Sequence, residues 1–468
     1  MVNLIVELSK YIMIILFAGY TYECFSVLGR KSKEKQARIF ARQTALMYLL
    51  HLNAYVVIFA VTQEFAQILF YLAQVILITV VLNCYQIFYP KASRLVINNM
   101  CMLLMIGFII LTRLNETKAV KQFIIVTISI IITLLIPLLI QKLKFFHKLT
   151  WLYAAIGILM LGIVAIAGAT SYGAKISFTI AGITIQPSEF IKILFVFFIA
   201  ARFSASVKMK DLILTTLVAA LHVLILVVSK DLGGALIFFV VYLVMLYVAT
   251  RRLSYFLGGI LCGSAASVVA YKLFSHVRVR VIAWRDPLSV IDNEGYQICQ
   301  SLFAIGTGGF FGLGLYQGMP GKIPVVEQDF VFAAISEEMG IMFALCLILV
   351  CASCFLMFLN IAMQIKNLFY KLVALGLGTV YGFQCFLTIG GVTKFIPSTG
   401  VTLPLVSYGG SSVLSTLIIF GIIQGLYILR EDEENEYGSK TGKRKKQSAG
   451  KKKKKETGFD TEFEKFSE

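Results

Sequence analysis

Apolar runs recur along almost the whole chain and are separated by short polar segments. Each run is about twenty residues long, enough to cross a bilayer as a helix, and the runs do not alternate as barrel strands do. The pattern therefore predicts an all-α polytopic membrane protein. We count thirteen spans, at residues 9–29, 43–62, 66–87, 98–113, 122–141, 149–170, 187–205, 211–229, 233–250, 254–273, 329–361, 372–392 and 409–430.

One stretch departs from this pattern. Between Ser275 and Gly340 the chain carries acids, bases, glycines and prolines before it returns to apolar residues through a second group of acids. A long polar loop between spans is where water, a charged substrate and protein groups can meet. We therefore expect the chemistry of the protein to lie at this loop.

The composition excludes a soluble globular protein, since 58% of the 468 residues are apolar and only 15% are charged. The net charge of +18 does not indicate a nucleic-acid-binding protein. Its excess lies in the short loops between spans, as expected for membrane topology and contact with anionic lipid. The tail after Arg430 is nearly balanced in charge, has no hydrophobic period and is predicted to be disordered.

The positive-inside rule orients the spans. With the N-terminus outside and the C-terminus in the cytoplasm, the lysine- and arginine-rich connections all fall inside and the loop 274–328 falls outside. These connections are residues 30–42, 88–97, 142–148, 202–210, 251–253 and 362–371.

The nine cysteines do not form a disulfide framework, because eight of them lie inside apolar runs and only Cys299 lies in the long loop. No metal site is predicted either, since there is no CxxC spacing and the four histidines are scattered. No cofactor is evident, although carboxylates in the loop leave a divalent cation open.

Several charged residues lie within or at the ends of spans, where they need a partner or a function. Glu189 and Lys192 are neighbours on one helix face; they form either a self-compensating pair or one wall of an anion cavity. Asp231 either caps the next helix or lines the same cavity. Glu337 and Glu338 lie about two turns inside a predicted span, so at least one should bond to Lys, Arg or backbone within the bundle.

The segment Thr393–Ser412 contains prolines and glycines that break a helix, yet its other residues are moderately apolar. Such backbone is tolerated at membrane depth only where protein or a wet cavity surrounds it. Gly409 and Gly410, followed by Ser411 and Ser412, could cap the last span and point amides at an anion. A plain tight turn is the alternative.

Four blocks of this sequence form a pattern: QPSEFIK at 186–192, KDLG at 230–233, the stretch from GYQICQSLFAIGTGG to QDFVFAAISEEMG at 295–340, and PSTGVTLPLVSYGGSS at 397–412. Together they resemble the FtsW/RodA/SpoVE family, the SEDS proteins that polymerise bacterial cell-wall glycan from lipid II. The resemblance covers roughly residues 95–430, and the blocks occur in the order of the family.

The resemblance implies a core of ten spans with both ends in the cytoplasm. Three further spans would precede it, and an odd number of added spans moves the N-terminus outside, as the charge distribution indicates. The expected organisation is an N-terminal extension at 1–90, a catalytic core at 91–430 with its extracellular loop at 274–328, and a disordered cytoplasmic tail at 431–468.

The resemblance also implies an activity, peptidoglycan glycosyl transfer at the outer face of the bacterial plasma membrane. The C4 hydroxyl of one lipid II would attack the anomeric carbon of another, and undecaprenyl pyrophosphate would leave. The implied partner is a class B penicillin-binding protein, a transpeptidase that cross-links the new strand. Whether the protein serves division, elongation or sporulation is left open.

Family members place an aspartate a few residues before GYQ as the base. Here Val290 occupies that position, and two aspartates flank it. We prefer Asp292, with Asp286 as the fallback, because Asp-Pro at 286–287 suits a turn. Either aspartate could simply cap a turn.

The leaving pyrophosphate requires cations or amides. Relatives carry arginine at the position of Lys175. They often carry lysine where Thr399 stands here, and Lys394 is a nearby lysine that could replace that phosphate contact. A solvated edge is the alternative for the loop arginines, and the glycines at 306, 308, 309, 312 and 314 favour close packing over a phosphate cradle. The candidate binding residues are Lys175, Lys192, Arg278, Arg280, Arg285, Lys322, Lys394 and Ser411, and the supporting residues are Glu189, Asp231, Asp329, Glu337 and Glu338.

Two other functions fit part of the pattern. A flippase for a lipid-linked cell-wall precursor would also carry buried charges and broken helices. A scaffold that recruits a transpeptidase would need no chemistry at all. The acids and bases of the outside loop favour the enzyme, because translocation alone does not require them.

Overall fold

The computed structural model describes residues 2–30, 32–143, 145–171, 174–180 and 183–433. The predicted tail at 431–468 therefore lies almost wholly outside the described residues. The helices are α1 Val2–Ser26, α2 Lys33–Thr62, α3 Phe65–Phe88, α4 Arg94–Leu114, α5 Glu116–Thr133, α6 Ile136–Lys142, α7 Thr150–Ala167, α8 Ser188–Ala205, α9 Met209–Val228, α10 Leu232–Thr250, α11 Leu253–Leu273, α12 Ser275–Arg285, α13 Tyr296–Gly308, α14 Val331–Gln364, α15 Leu368–Val392 and α16 Gly410–Glu433.

Each of the thirteen predicted spans is helical in this structure, and one of them is divided into two helices. Among the described residues, twelve helical segments are long and apolar enough to cross a membrane. The predicted span at 187–205 is the helix α8, which is not among the twelve and carries Glu189, Lys192 and Arg202. The predicted span at 122–141 is divided into α5 and α6 by a turn before Pro137. Proline lacks an amide hydrogen and therefore suits the first turn of α6.

Side-chain caps begin several of these helices. Asn115 accepts a hydrogen bond from the amide of Lys118 at the start of α5 (3.0 Å), and Asn367 accepts from the amide of Phe369 at the start of α15 (3.0 Å). Each cap satisfies an amide that the first helical turn leaves without a partner.

The core lies around α4, which is buried along its most apolar part, with large buried faces of α14, α15 and α16. The N-terminal helices pack on this core: α1 contacts α14, and α2 contacts α4. The phenol of Tyr20 in α1 donates to Asn99 of α4 (2.9 Å), and Asn99 donates to Ser353 of α14 (3.2 Å). By contrast, α11 has no buried residue and packs chiefly against α10.

The hydrophobic pattern did not predict a small antiparallel sheet after α7. Its strands are β1 Ala169–Ser171, β2 Ala174–Ile180 and β3 Ile183–Ile185, in the order β1-β2-β3. The predicted span at 149–170 thus ends as a helix at Ala167, and the chain continues as a strand. The long loop 274–328 also has more structure than expected, because it contains α12 and α13.

A break at Gly340 divides α14, where φ is 86° and ψ is 166°. The break exposes backbone groups that the segment 309–314 satisfies. The amides of Leu313 and Gly314 donate to the carbonyls of Glu337 and Glu338 at 3.0 and 2.8 Å. The carbonyl of Gly309 accepts from the amide of Ile341 at 3.0 Å.

The glycines on both sides of this break are needed for the close approach. A Cβ added at Gly312 would lie 2.4 Å from the carbonyl oxygen of Glu338, and one added at Gly340 would lie 2.4 Å from the amide nitrogen of Gly312. At Gly308 it would lie 2.1 Å from the carbonyl oxygen of Ser336. The prediction of close packing is confirmed at Gly308, Gly312 and Gly314, whereas a Cβ added at Gly306 or Gly309 would meet nothing within 4 Å.

We expect Gly340→Ala to lower the free energy of unfolding by roughly 2–3 kcal/mol, because alanine is strained at this positive φ and its methyl group meets the backbone of residues 310–312. Gly306→Ala is the matched control in α13: it should leave stability unchanged or raise it by up to about 1 kcal/mol. Thermal unfolding in detergent compares the two. Equal stability of the two variants would contradict the structural role of Gly340.

Candidate functional site

The Glu189–Lys192 pair forms the centre of the candidate site. Both residues lie in the first turns of α8, and Lys192 Nζ is 2.6 Å from Glu189 Oε2. Lys192 also donates to Gln384 of α15 (2.7 Å), and Ser415 of α16 donates to Glu189 Oε2 (2.9 Å). The side chain of Lys192 is only 3% exposed. The pair is thus compensated, as one of the two interpretations of the sequence expects, and it joins three helices.

Asp231 lies next to this pair and caps α10. Its Oδ1 accepts from the amide of Gly234 (2.8 Å), and its Oδ2 accepts from the hydroxyl of Ser188 (3.1 Å). Burial raises the pKa of Asp231 above its ordinary value, and these two hydrogen bonds oppose the shift. The expectation that Asp231 caps the next helix is confirmed, and its contact with Ser188 places it beside the start of α8.

The non-helical segment between α15 and α16 closes this region. Gln384 donates to the carbonyl of Thr402 (3.1 Å), and Thr402 donates to the hydroxyl of Ser412 (2.8 Å). The hydroxyl of Ser411 accepts from the amide of Gln186 (3.0 Å). Because Gln186 lies two residues before α8, this bond joins the segment to the start of that helix. The Gly409 amide donates to Gln122 Oε1 (3.3 Å), so it is engaged within the protein rather than directed at an anion.

The loop contributes Arg280, which lies on α12 and reaches the same region. Its Nη1 donates to the carbonyl of Ser398 (3.2 Å). A Cβ placed on Gly400 would lie 3.8 Å from Arg280 Nη2 and 4.0 Å from Asp329 Oδ2, so these groups meet over one glycine. Burial lowers the pKa of Arg280, and attraction to Asp329 and Asp231 opposes that change. Arg280 therefore links the loop to Asp231.

Asp329 lies two residues before α14 and is partly buried. Burial raises its pKa to about 6, against the attraction of Arg280. We use the term polar cluster for the six side chains that these contacts and charges connect: Glu189, Lys192, Asp231, Arg280, Asp329 and Gln384.

The remaining predicted loop residues are not part of the polar cluster. Asp292 is exposed and forms no side-chain hydrogen bond or ion pair with a described residue. Asp286 Oδ1 lies 3.4 Å from the amide of Ser289, which is the turn-capping role that the sequence offered as an alternative. Arg278 is exposed and donates to the carbonyl of Lys272 (3.2 Å).

The other predicted cations are also separate from the cluster. Arg285 and Lys322 are exposed, and the side chain of Lys394 is half-buried. The carbonyl of Lys394 accepts from Trp284 (3.1 Å), which holds α12 against the segment after α15. The backbone of Lys175 pairs with Thr170 between β2 and β1, and its side chain lies outside the described part of the structure.

Glu337 and Glu338 connect the first turns of α14 to the loop and to α4. Glu338 is fully buried and accepts from Arg113, whose Nη2 is 2.8 Å away. Glu337 Oε1 accepts from the amide of Met319 (2.9 Å). The expectation that at least one of these acids bonds within the bundle is confirmed for both.

Three contributors were not predicted from the sequence. Arg113 pairs with Glu338, Lys118 pairs with Glu327, and Gln384 joins α15 to Lys192. Gln384 could have been found, because an amide side chain inside an apolar span needs partners. The two cations lie at the ends of predicted spans, where lysine and arginine are ordinary. Among the described residues, no group of three or more His, Cys, Asp or Glu side chains could hold a metal ion.

Comparisons with known proteins agree on one family. The family model FtsW/RodA/SpoVE, described as cell cycle protein, matches residues 92–431. A peptidoglycan glycosyltransferase RodA of Mycobacterium bovis is 39% identical over 267 residues, which are 54% of this chain and 57% of that protein. The chain therefore spans a little over half the length of that relative. The stage V sporulation protein E of Bacillus subtilis is 32% identical over 278 residues, 57% of this chain and 75% of that one.

Solved structures show the same fold. One is a chain in a structure on the coordination of polymerization and crosslinking by a peptidoglycan synthase complex: TM-score 0.61, 23% identity, covering 72% of this chain and 98% of that chain. Another is the rod shape determining protein RodA of Thermus thermophilus: TM-score 0.54, 23% identity, covering 72% and 96%. The match in each case leaves about a quarter of this chain outside it.

The raised pKa of Asp329 predicts a pH dependence of stability. Its native carboxyl group holds a proton up to about pH 6, whereas the unfolded one releases it near 3.8. The native state thus binds more protons between these values, so the contribution of Asp329 to the free energy of unfolding falls as pH rises through the window. We expect wild type to lose up to about 2 kcal/mol relative to Asp329→Asn between pH 4 and 7. Chemical unfolding at several pH values measures the difference; a constant difference would contradict the assignment.

Proposed function

The chain belongs to the FtsW/RodA/SpoVE family, and on that premise we propose that it is a peptidoglycan glycosyltransferase that polymerises lipid II into glycan strands. The proposal rests on relatives named for this activity and on one observation, the polar cluster under the long loop. The cluster combines carboxylates with two cations, the buried Lys192 and the half-buried Arg280, at the end of a multi-pass membrane bundle. A lipid-linked substrate with an anionic pyrophosphate requires both an apolar flank and cations.

We assign the general base to Asp292. The hydroxyl of the acceptor sugar attacks the anomeric carbon of the donor, and its proton passes to the Asp292 carboxylate. The new carbon–oxygen bond forms as the bond to the pyrophosphate oxygen breaks, and undecaprenyl pyrophosphate leaves with that electron pair. The exposed Asp292 is free to meet a substrate, whereas Asp286 already accepts a backbone amide.

The developing charge on the pyrophosphate needs stabilisation. We assign this role first to Arg280 and Lys192, which the contacts of the polar cluster connect. Asp329 and Asp231 hold Arg280 in place by attraction, and Glu189 positions Lys192. Six further groups stay proposals as substrate contacts in the assembled complex: Lys175, Arg278, Arg285, Lys322, Lys394 and Ser411.

The proposed setting is the bacterial plasma membrane, with the N-terminus outside, the C-terminus in the cytoplasm and the polar cluster at the outer face. The charge distribution supports this orientation, and alkaline phosphatase fused after Phe88 should be inactive if it is right, because residues 88–97 are then cytoplasmic.

We divide the chain into an extension at 1–90, a catalytic core at 91–430 and a tail at 431–468. The expected partner is a class B penicillin-binding protein, since one similar chain belongs to a complex that couples polymerization to crosslinking.

Purified protein supplied with lipid II in detergent should produce glycan chains that a gel resolves. Asp292→Asn should reduce the initial rate about 100-fold or more, the usual contribution of a general base. Asp286→Asn is the matched control in the same loop and should stay within a few-fold of wild type.

The assay separates the enzyme from both alternatives. A flippase or a scaffold would form no polymer from lipid II that is already accessible, even when the partner transpeptidase is present. Full activity of Asp292→Asn together with loss of activity in Asp286→Asn would move the base to Asp286.

A further inference from the structure

A groove lies between α1 and α14, away from the polar cluster. Its volume is about 620 Å³, within the range of pockets that hold small ligands. The walls are mainly apolar: Ala18, Thr21, Tyr22 and Phe25 of α1, and Cys346 and Leu349 of α14. The groove ends at Gly29 and Arg30, where α1 gives way to the short loop before α2.

Arg30 differs from the other arginines near this end. Arg38 pairs with Glu34 at 2.5 Å, and Arg42 pairs with Glu23 at 2.7 Å. Arg30 is exposed and has no ion pair with any described residue. A guanidinium that closes an apolar groove and has no acidic partner among the described residues is complementary to an anion.

The length of the groove fits one leaflet of a bilayer. Ala18 to Ser26 is about 12 Å of α-helix, and the 3-10 turn Val27–Gly29 adds about 6 Å. The sum is close to half of the hydrocarbon core, about 15 Å. An acyl chain in the groove would therefore place its headgroup at the depth of Arg30. Lysines and arginines at the end of a span lie at headgroup depth in membrane proteins, where they attract anionic lipid.

We propose that the α1–α14 groove binds one anionic glycerophospholipid, with an acyl chain along the apolar walls and the headgroup phosphate on Arg30. One wall comes from α1, which precedes the residues that match the family, and the other comes from α14, which carries the break at Gly340. The lipid would thus lie across the joint between the N-terminal helices and the core. This site is independent of the proposed glycosyl transfer.

Binding can be measured by native mass spectrometry on the full-length, delipidated protein with added phosphatidylglycerol or phosphatidylcholine. Wild type should retain phosphatidylglycerol in preference to phosphatidylcholine. Arg30→Gln should retain about fivefold less phosphatidylglycerol, the factor expected from one basic residue near an anionic headgroup. Arg38→Gln is the matched control, because Arg38 belongs to the same basic end and is paired; it should stay within about twofold of wild type.

Gly29→Leu tests the groove itself. A Cβ at Gly29 meets nothing within 4 Å, so leucine can be accommodated and would obstruct the end of the groove. This variant should lose both lipids while its melting temperature without lipid stays close to that of wild type. Equal retention of the two lipids by wild type, or equal losses in Arg30→Gln and Arg38→Gln, would overturn the proposal.

Discussion

An unpaired backbone N–H or C=O group costs free energy inside the bilayer. This constraint applies wherever the chain stops being helical at membrane depth. At Gly340 the helix α14 is broken, and the segment 309–314 supplies the missing hydrogen bonds. The same segment is held from the other side by α1, since Lys10 donates to the carbonyl of Gly312 (3.3 Å). The segment 309–314 forms neither a helix nor a strand, and these hydrogen bonds fix its position.

Buried charge follows the same logic. Each buried acid or base of the polar cluster has a partner of opposite charge or a hydrogen-bond donor, and Glu338 beneath the loop has Arg113. A buried pair contributes little net stability compared with apolar packing, whereas a single unpaired member is strongly destabilising. The pairs are therefore better explained by what they hold in place than by how much they stabilise.

Much of this structure follows from sequence, because helices in lipid are dictated by hydropathy alone. The run from Thr150 and the run from Leu232 are apolar over their whole length, and both are helices within a few residues of the expected bounds. Adjacent acids such as Glu337 and Glu338 also signal buried partners. Neither inference requires knowledge of which helices are neighbours.

The site was harder to predict, because its members are distant in sequence. Arg280 reaches Ser398 across more than a hundred residues, and nothing in the alternation of arginine and valine at 278–280 distinguishes the half-buried Arg280 from the exposed Arg278. The sheet after α7 was missed for another reason: its residues ITI and AKISFTI are too short and too mixed to stand out beside twenty-residue apolar runs. Local patterns identify elements, whereas tertiary contacts select which polar residues converge.

The long loop is anchored unequally at its two ends. It begins on α11, a span with no buried residue, and it ends on α14, whose N-terminal part is joined to the loop by backbone hydrogen bonds and by Glu337, which accepts from the amide of Met319. The first part of the loop, where Arg280 lies, is therefore held by two side-chain contacts with the segment after α15: Arg280 with Ser398 and Trp284 with Lys394. A ligand that draws Arg280 away from Ser398 must offset the loss of this hydrogen bond, so part of its affinity depends on how the loop is held at that contact.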